Sequence, residues 1–143
     1  MPLPFHVFCE LPSVRVYELD DGRFQLIHPG PISPFLAGYR YLLVEQNLAT
    51  FLATLGIERV RHEPVVLFNR GTGEERHTHV RLHVGQVFNE NQLLDLPLDG
   101  LRLLTMNDQD YFVSPELKVR LEAGSFQYLC FTEGLSGFAG GAP

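Results

Sequence analysis

The chain has 143 residues, 45% apolar and 20% charged, with a formal net charge of −6. That length fits one domain, 1–143, able to bury roughly two-thirds of its unfolded surface, and the composition excludes a disordered or fibrous chain. The longest basic cluster, Arg59, Arg61 and His62, lies beside Glu58 and Glu63, so nucleic-acid binding is disfavoured, and no run approaches the ~18 apolar residues of a membrane helix.

The opening MPLPFHVFCELP has neither a basic leader nor a long apolar core, so no secretory signal is expected, and residues 1–12 read as a loose end. Cys9 and Cys130, far apart in sequence, fit reduced thiols and a cytoplasmic location better than a disulfide scaffold. Asp21-Gly22 separates Val14–Leu19 from Arg23–Ile27 and predicts a short hairpin. The proline-rich run His28–Pro34 continues neither strand nor helix and predicts a loop. Tyr41–Val44 then reads as a strand leading into a helix over Glu45–Leu55, with Val44, Leu48, Phe51, Leu52 and Leu55 on one face and Gly56 as its stop.

An extended run Ile57–Val60 follows, then a second hairpin in which Arg70–Glu75 joins Val65–Phe68 to the alternating run His77–Phe88, with Gly85 as a bulge. Asn89–Gly100 reads as a connection holding one helical turn. Tyr111–Val113 precedes Ser114-Pro115, an N-cap with proline at the first helical position; Leu117, Leu121 and Gly124 complete a short helix. Phe126–Thr132 is again extended, and the glycine-rich tail 134–143 reads as loose. Aligning Val44 with Val113 also aligns Leu48 with Leu117 and Leu52 with Leu121, so a strand–helix–glycine–strand unit occurs twice, by structural repetition or by chance, with the glycines one residue out of step. The expected fold is α+β: a mainly antiparallel sheet of about six or seven strands with two short helices on one face.

The stretch RHTHVRLH, Arg76 to His83, is the one concentration of chemistry. On a strand, His77, His79, Arg81 and His83 share one side, and Thr78, Val80, Leu82 and Val84 form a buried stripe on the other. That pattern requires only a solvated polar face. Gly71 followed by His77-Thr-His79 also matches the opening of a cupin metal motif, which makes a cupin-like metal-dependent enzyme using His77, His79 and His83 an alternative. Against it, the glutamate that motif needs next is replaced by His83 and Val84, and Arg81 would set a positive charge beside the cation. Cys130 in Tyr-Leu-Cys-Phe reads as core, Cys9 has no activating neighbour, Asp20-Asp21 and Asp95/Asp99 read as turn chemistry, and Gly71-Thr-Gly73 lacks the rest of a phosphate loop. No catalytic residue, cofactor or metal is therefore expected.

Tyr41-Leu-Leu-Val-Glu-Gln-Asn-Leu48 to Leu55-Gly56, Glu63-Pro-Val-Val-Leu67, Val80-Arg-Leu-His-Val84 and Tyr111-Phe-Val-Ser-Pro-Glu-Leu-Lys118 together resemble a bacterial immunity-protein family of polymorphic and type VI toxin systems. In that family a VS-x-x-L strand-to-helix step occurs twice around a hairpin. The resemblance covers residues 35–132; Glu45 stands where serine is usual in the first copy. It implies a non-enzymatic, cytoplasmic protein that binds and neutralises one cognate toxin or effector, and it carries no catalytic residues. Partner-contact candidates are Tyr39, Tyr41, Phe138 and the His77–His79–Arg81–His83 face; exposed edge strands leave pairing between copies open. A structural or adaptor subunit of a secretion assembly is a further alternative.

Overall fold

Frequent glycine, proline and Asp-Gly breaks divide this sequence into strands too short to build one broad sheet. The computed structural model describes residues 2–138. In chain order these form β1 (Phe5–Cys9), β2 (Val16–Glu18), β3 (Phe24–Leu26), β4 (Phe35–Gly38), β5 (Tyr41–Glu45) and α1 (Gln46–Thr54). Next come β6 (Val60–Pro64), β7 (Leu67–Phe68), β8 (Glu75–Arg76), β9 (His79–Val84), β10 (Val87–Phe88) and a 3-10 turn at Glu90–Asp95. The chain closes with β11 (Leu103–Met106), β12 (Asp110–Val113), α2 (Pro115–Glu122) and β13 (Leu129–Glu133).

The thirteen strands make three sheets, where the sequence reading expected one of six or seven strands. A middle sheet runs β4-β5-β9-β6, a terminal sheet β10-β11-β12-β1-β13 and a cover sheet β2-β3-β7-β8. The α+β class holds, and the pairing is mainly antiparallel, the exceptions among the described residues being β10 with β11 and β3 with β7. The count differs because single runs serve more than one sheet. Residues 60–68 pair with residues 75–84 first in the middle sheet and then, from Leu67 opposite Arg76, in the cover sheet. Gly85 is not a bulge within one strand; it marks where the chain leaves the middle sheet for β10, its N–H donating to Arg59 O at 2.7 Å.

The repeated unit is present in three dimensions. Val44 lies between Phe35 and Val80 in the middle sheet, and Val113 lies between Leu103 and Phe5 in the terminal sheet. Hence β4-β5-α1-β6 corresponds to β11-β12-α2-β13, and β9 corresponds to β1. The strand beside the second hairpin strand is filled from outside the hairpin: by β9 downstream in the first unit, and by β1 from the chain's start in the second. Phe5–Cys9, expected within a loose end, is therefore a strand held between two others. Val7 is 2% exposed in the middle of β1, and the prolines flanking the strand simply bound it. Of the tail, Gly134–Phe138 is described: Gly134 N–H donates to Pro4 O, and the Phe138 ring stacks on Phe112. Residues 139–143 lie outside the described residues.

Inward-facing residues of both sheets, with Leu48, Ala49 and Leu52 of α1 and Leu117 and Leu121 of α2, form one central core. The helices thus do not sit on one face of one sheet; they fill a layer that two sheets share. The outer face of the middle sheet is covered by the cover sheet through Phe24, Leu26, Leu43, Val65 and Leu67. The outer face of the terminal sheet is covered by the 87–98 segment and Phe138, packed on Leu104, Met106 and Phe112.

The two helix starts are secured differently. Ser114 is fully buried; its hydroxyl accepts from Leu117 N at 3.4 Å and Arg102 N at 2.9 Å and donates to Gly100 O at 2.7 Å. Glu45 has the same extended backbone but makes no side-chain cap. There Leu48 N–H donates to Asn47 Oδ1 and Gln46 N–H to Thr78 O. The stops also differ. Gly56 has φ +63°, a left-handed conformation suited to glycine, whereas Gly124 is required by space, since a Cβ would come within 3.0 Å of the Phe126 ring. With α2 one residue shorter than α1, the out-of-step glycines are accounted for. The expected extended run at Ile57–Val60 is a turn, with Arg59 at φ +62°, and the strand begins at Val60; that expected from Phe126 begins at Leu129.

Ser114→Ala removes a cap and strands a partly buried Arg102 N–H, so it should cost about 1–3 kcal/mol in urea unfolding. Glu45→Ala should cost well under half of that, because no cap bond is lost.

Candidate functional site

The strand β9 carries the histidine stretch. From Val80 onward it alternates as expected: Val80, Leu82 and Val84 enter the central core, while Arg81 and His83 face outward. Thr78, expected in the buried stripe, is exposed, as is His77, because both precede the strand.

His79 departs from the solvated reading. It is 4% exposed, lodged under the loop that enters β4. Its Nε2 lies 2.9 Å from Ser33 O and its Nδ1 2.8 Å from Thr78 Oγ1. A carbonyl only accepts, so Nε2 carries the proton and Nδ1 receives the threonine hydroxyl. Both ring nitrogens are thereby committed, and no lone pair is left for a cation. Burial lowers the His79 pKa, opposed more weakly by the Ser33 bond and by Glu45. The alternation rule places His79 correctly on the outer face; the cover over that face is what removes it from water.

Arg81 is the junction of the outer face. Its Nη1 donates to Glu18 Oε2 of the cover sheet and its Nη2 to Arg40 O of the β4–β5 turn, each at 2.8 Å. The guanidinium thus joins the middle and cover sheets, and the Arg40 backbone carries the connection on, its N–H donating to Asp108 O of the β11–β12 turn at 2.7 Å. His83 pairs with Glu63 at 2.9 Å, and that bond holds the Glu63 carboxyl below its ordinary range. His77, His79 and His83 therefore do not converge. Among the described residues no group of three or more His, Cys, Asp or Glu side chains is placed to hold a metal ion.

The remaining candidates resolve individually. Tyr39 is 63% exposed at the β4–β5 turn, with the Arg40 guanidinium 5.1 Å from its ring. Tyr41 is no free anchor: its ring packs 5.1 Å from Phe24, and burial, reinforced by Glu18, raises its hydroxyl pKa. Phe138 is part of the outer core. The two cysteines come to neighbouring strands, but Cys130 lies opposite Phe8, so its side chain and that of Cys9 leave on opposite faces. Burial raises the Cys130 pKa, with Glu10 and Cys9 adding to it, which keeps the thiol protonated. Asp21 accepts from Arg23 N at 3.0 Å, as turn chemistry requires, and Gly73 adopts φ +74° at the tip of the second hairpin.

Two features were not legible in the sequence. At the seam of β1, β4 and β12, a cavity of about 250 Å³ is lined by His6, Cys9, Ser13, Ser33, Asp110 and Tyr111. His6 stacks among Phe8, Phe112 and Phe138, and its Nε2 is 3.8 Å from Asp110 Oδ1, beyond hydrogen-bond range. Burial lowers its pKa more than Asp110 raises it, and burial pushes the Tyr111 hydroxyl up to about 12. The second feature is a cleft where α1 ends and α2 begins, flanked by Glu58, Asp99 and Glu116.

The chain matches no family model, no curated protein and no solved structure. Among the described residues no helix is long and apolar enough to cross a membrane.

His6, His62 and His79 all have pKa values below the ordinary 6.5, each mainly through burial. Unfolding restores the ordinary value, so below about pH 6.5 the unfolded chain binds protons first and the fold loses stability. Urea unfolding from pH 7.5 to 5.5 should therefore show stability falling with pH. His79→Gln, which retains a donor for Ser33 O, should flatten that slope in part; an unchanged slope would remove His79 from the account.

Proposed function

We propose that this chain is a non-enzymatic immunity protein that binds and neutralises a cognate toxin. The observation carrying the reading is the duplicated strand-to-helix step. The segments Tyr41–Leu48 and Tyr111–Lys118, on which the family resemblance rests, place Val44 and Leu48 where Val113 and Leu117 stand in a second sheet with the same order of four strands. The hairpin between the copies, residues 60–84, supplies the central strand of the first. A protein inhibitor needs a rigid frame that displays polar and apolar groups without reorganising. Arg81 tied to Glu18 and Arg40, and His79 tied to Ser33, supply that rigidity on the outer face. The acidic balance of −6 suits a basic partner surface.

Co-expression with the toxin encoded beside it should restore growth of the host and give a complex of fixed stoichiometry on size-exclusion chromatography. The absence of both protection and a complex would refute the reading.

A further inference from the structure

The middle and terminal sheets share one order of four strands, but only the terminal sheet adds a fifth, β10, on the edge of β11. Ser114 N–H donates to Arg102 O at 3.0 Å, which sets the ladder so that Leu103 and Thr105 turn their backbone groups away from β12. Thr105 N–H donates on that free side to Gln86 O at 2.9 Å, with Val87 opposite it in the parallel pair. The same phase holds in the middle sheet, where Glu45 N–H donates to Pro34 O at 2.9 Å. Phe35 and Ala37 of β4 therefore turn their backbone groups away from β5. Phe35 is provided for: its N–H donates to Ser33 Oγ, and its carbonyl accepts from that hydroxyl. Ala37, the counterpart of Thr105, is exposed and has no strand beside it among the described residues.

Two further observations set this edge apart. Edge strands are ordinarily protected by charge, proline or a bulge. At the opposite edge of the same sheet β6 carries Arg61, Glu63 and Pro64, whereas Phe35–Gly38 of β4 has neither charge nor proline. Space is also present. Counting from the equivalent residues Arg81 and His6, Glu10–Ser13 leave β1 as Gly85–Phe88 leave β9. They form no ladder with β4; Ser13 Oγ instead accepts from Ser33 N–H at 3.1 Å. Leu11 and Ser13 line the same cavity of about 250 Å³ as Leu36 and Ala37.

The twin edge also shows what chemistry suits the place. Phe88 is 3% exposed and packs with Leu104 and Met106 on the outer face. A residue in that position on β4 falls beside Gly38, against which the Tyr41 ring lies, and next to Leu36. Leu36 and Tyr41 are both only half-buried there. We propose that the open edge of β4 receives an extended segment of the protein partner as an added parallel strand, with an apolar residue against Leu36 and Tyr41. Main-chain bonds to the Ala37 N–H and carbonyl set the register, and the apolar residue gives selectivity. This assignment rests on the protein-binding reading above.

The probe is the peptide acetyl-Gly-Gln-Val-Phe-Asn-amide, which copies residues 85–89, titrated into the ¹⁵N-labelled whole chain. The Ala37 amide signal should move saturably, while that of Thr105, already bonded to β10, stays still. Methylating the peptide's Phe nitrogen removes the donor for Ala37 O and should weaken binding about threefold or more. Ala37→Pro removes an N–H that β5 does not use, so urea unfolding should be unchanged while peptide binding falls by a similar factor. A static Ala37 signal, equal binding of the methylated peptide, or undiminished binding by Ala37→Pro would each overturn the proposal. So would a concentration-dependent Ala37 shift without peptide, which would give the edge to a second copy of the chain. Full toxin protection by Ala37→Pro would discard the edge alone; peptide binding at Ala37 without any toxin complex would discard the neutralisation reading alone.

Discussion

Neither unit of this protein can bury its own sheet, and the rest of the structure follows from that. A helix of eight or nine residues offers only two or three buried side chains: Leu48, Ala49 and Leu52 in α1, Leu117 and Leu121 in α2. Each helix is too small to cover a four-stranded surface, so the two units turn the same face inward and share one apolar layer. Leu82 of β9 and Val7 of β1 hold equivalent places in that layer, each 2% exposed in the middle of its strand. Burying a side chain of this size contributes about 1.5–3 kcal/mol, and both sheets must be present for either to be buried.

Sharing one layer leaves the opposite faces bare, and there the two units diverge. In the middle sheet the central outward position is Arg81, paired across from Leu43; in the terminal sheet it is His6, paired across from Phe112. The first is covered by a small sheet carrying Glu18, and the guanidinium becomes an ionic bolt between layers. The second is covered by aromatic side chains, and burial among them lowers the imidazole pKa. One scaffold thus accommodates two kinds of cover, and the clefts of the surface lie where covers and units meet.

What the sequence makes legible is local. Asp21-Gly22 and Ser114-Pro115 encode their turn and their cap through side chain and backbone preferences acting over three or four residues, and both appear where expected. The helical face of α1 and the alternation of Val80, Leu82 and Val84 are legible for the same reason. The structure departs where pairing is distant. FHVFC in β1 looks like a fragment between prolines until β12 and β13 flank it. His79 looks solvated until the Ser33 loop closes over it. Gly85, within a run that reads as one strand, is where the chain changes sheets, and that change depends on the distant pairing of β10 with β11.

The central claim is that β1 and β9 are equivalent strands of one cooperative core. Native-state hydrogen exchange of the Val7 and Leu82 amides measures it directly. The shared layer predicts that both exchange only through global unfolding, with the same free energy and the same dependence on denaturant. Exchange at Val7 through a smaller local opening, while Leu82 stays protected, would show the opening strand to be an appendage and the two units to be independent.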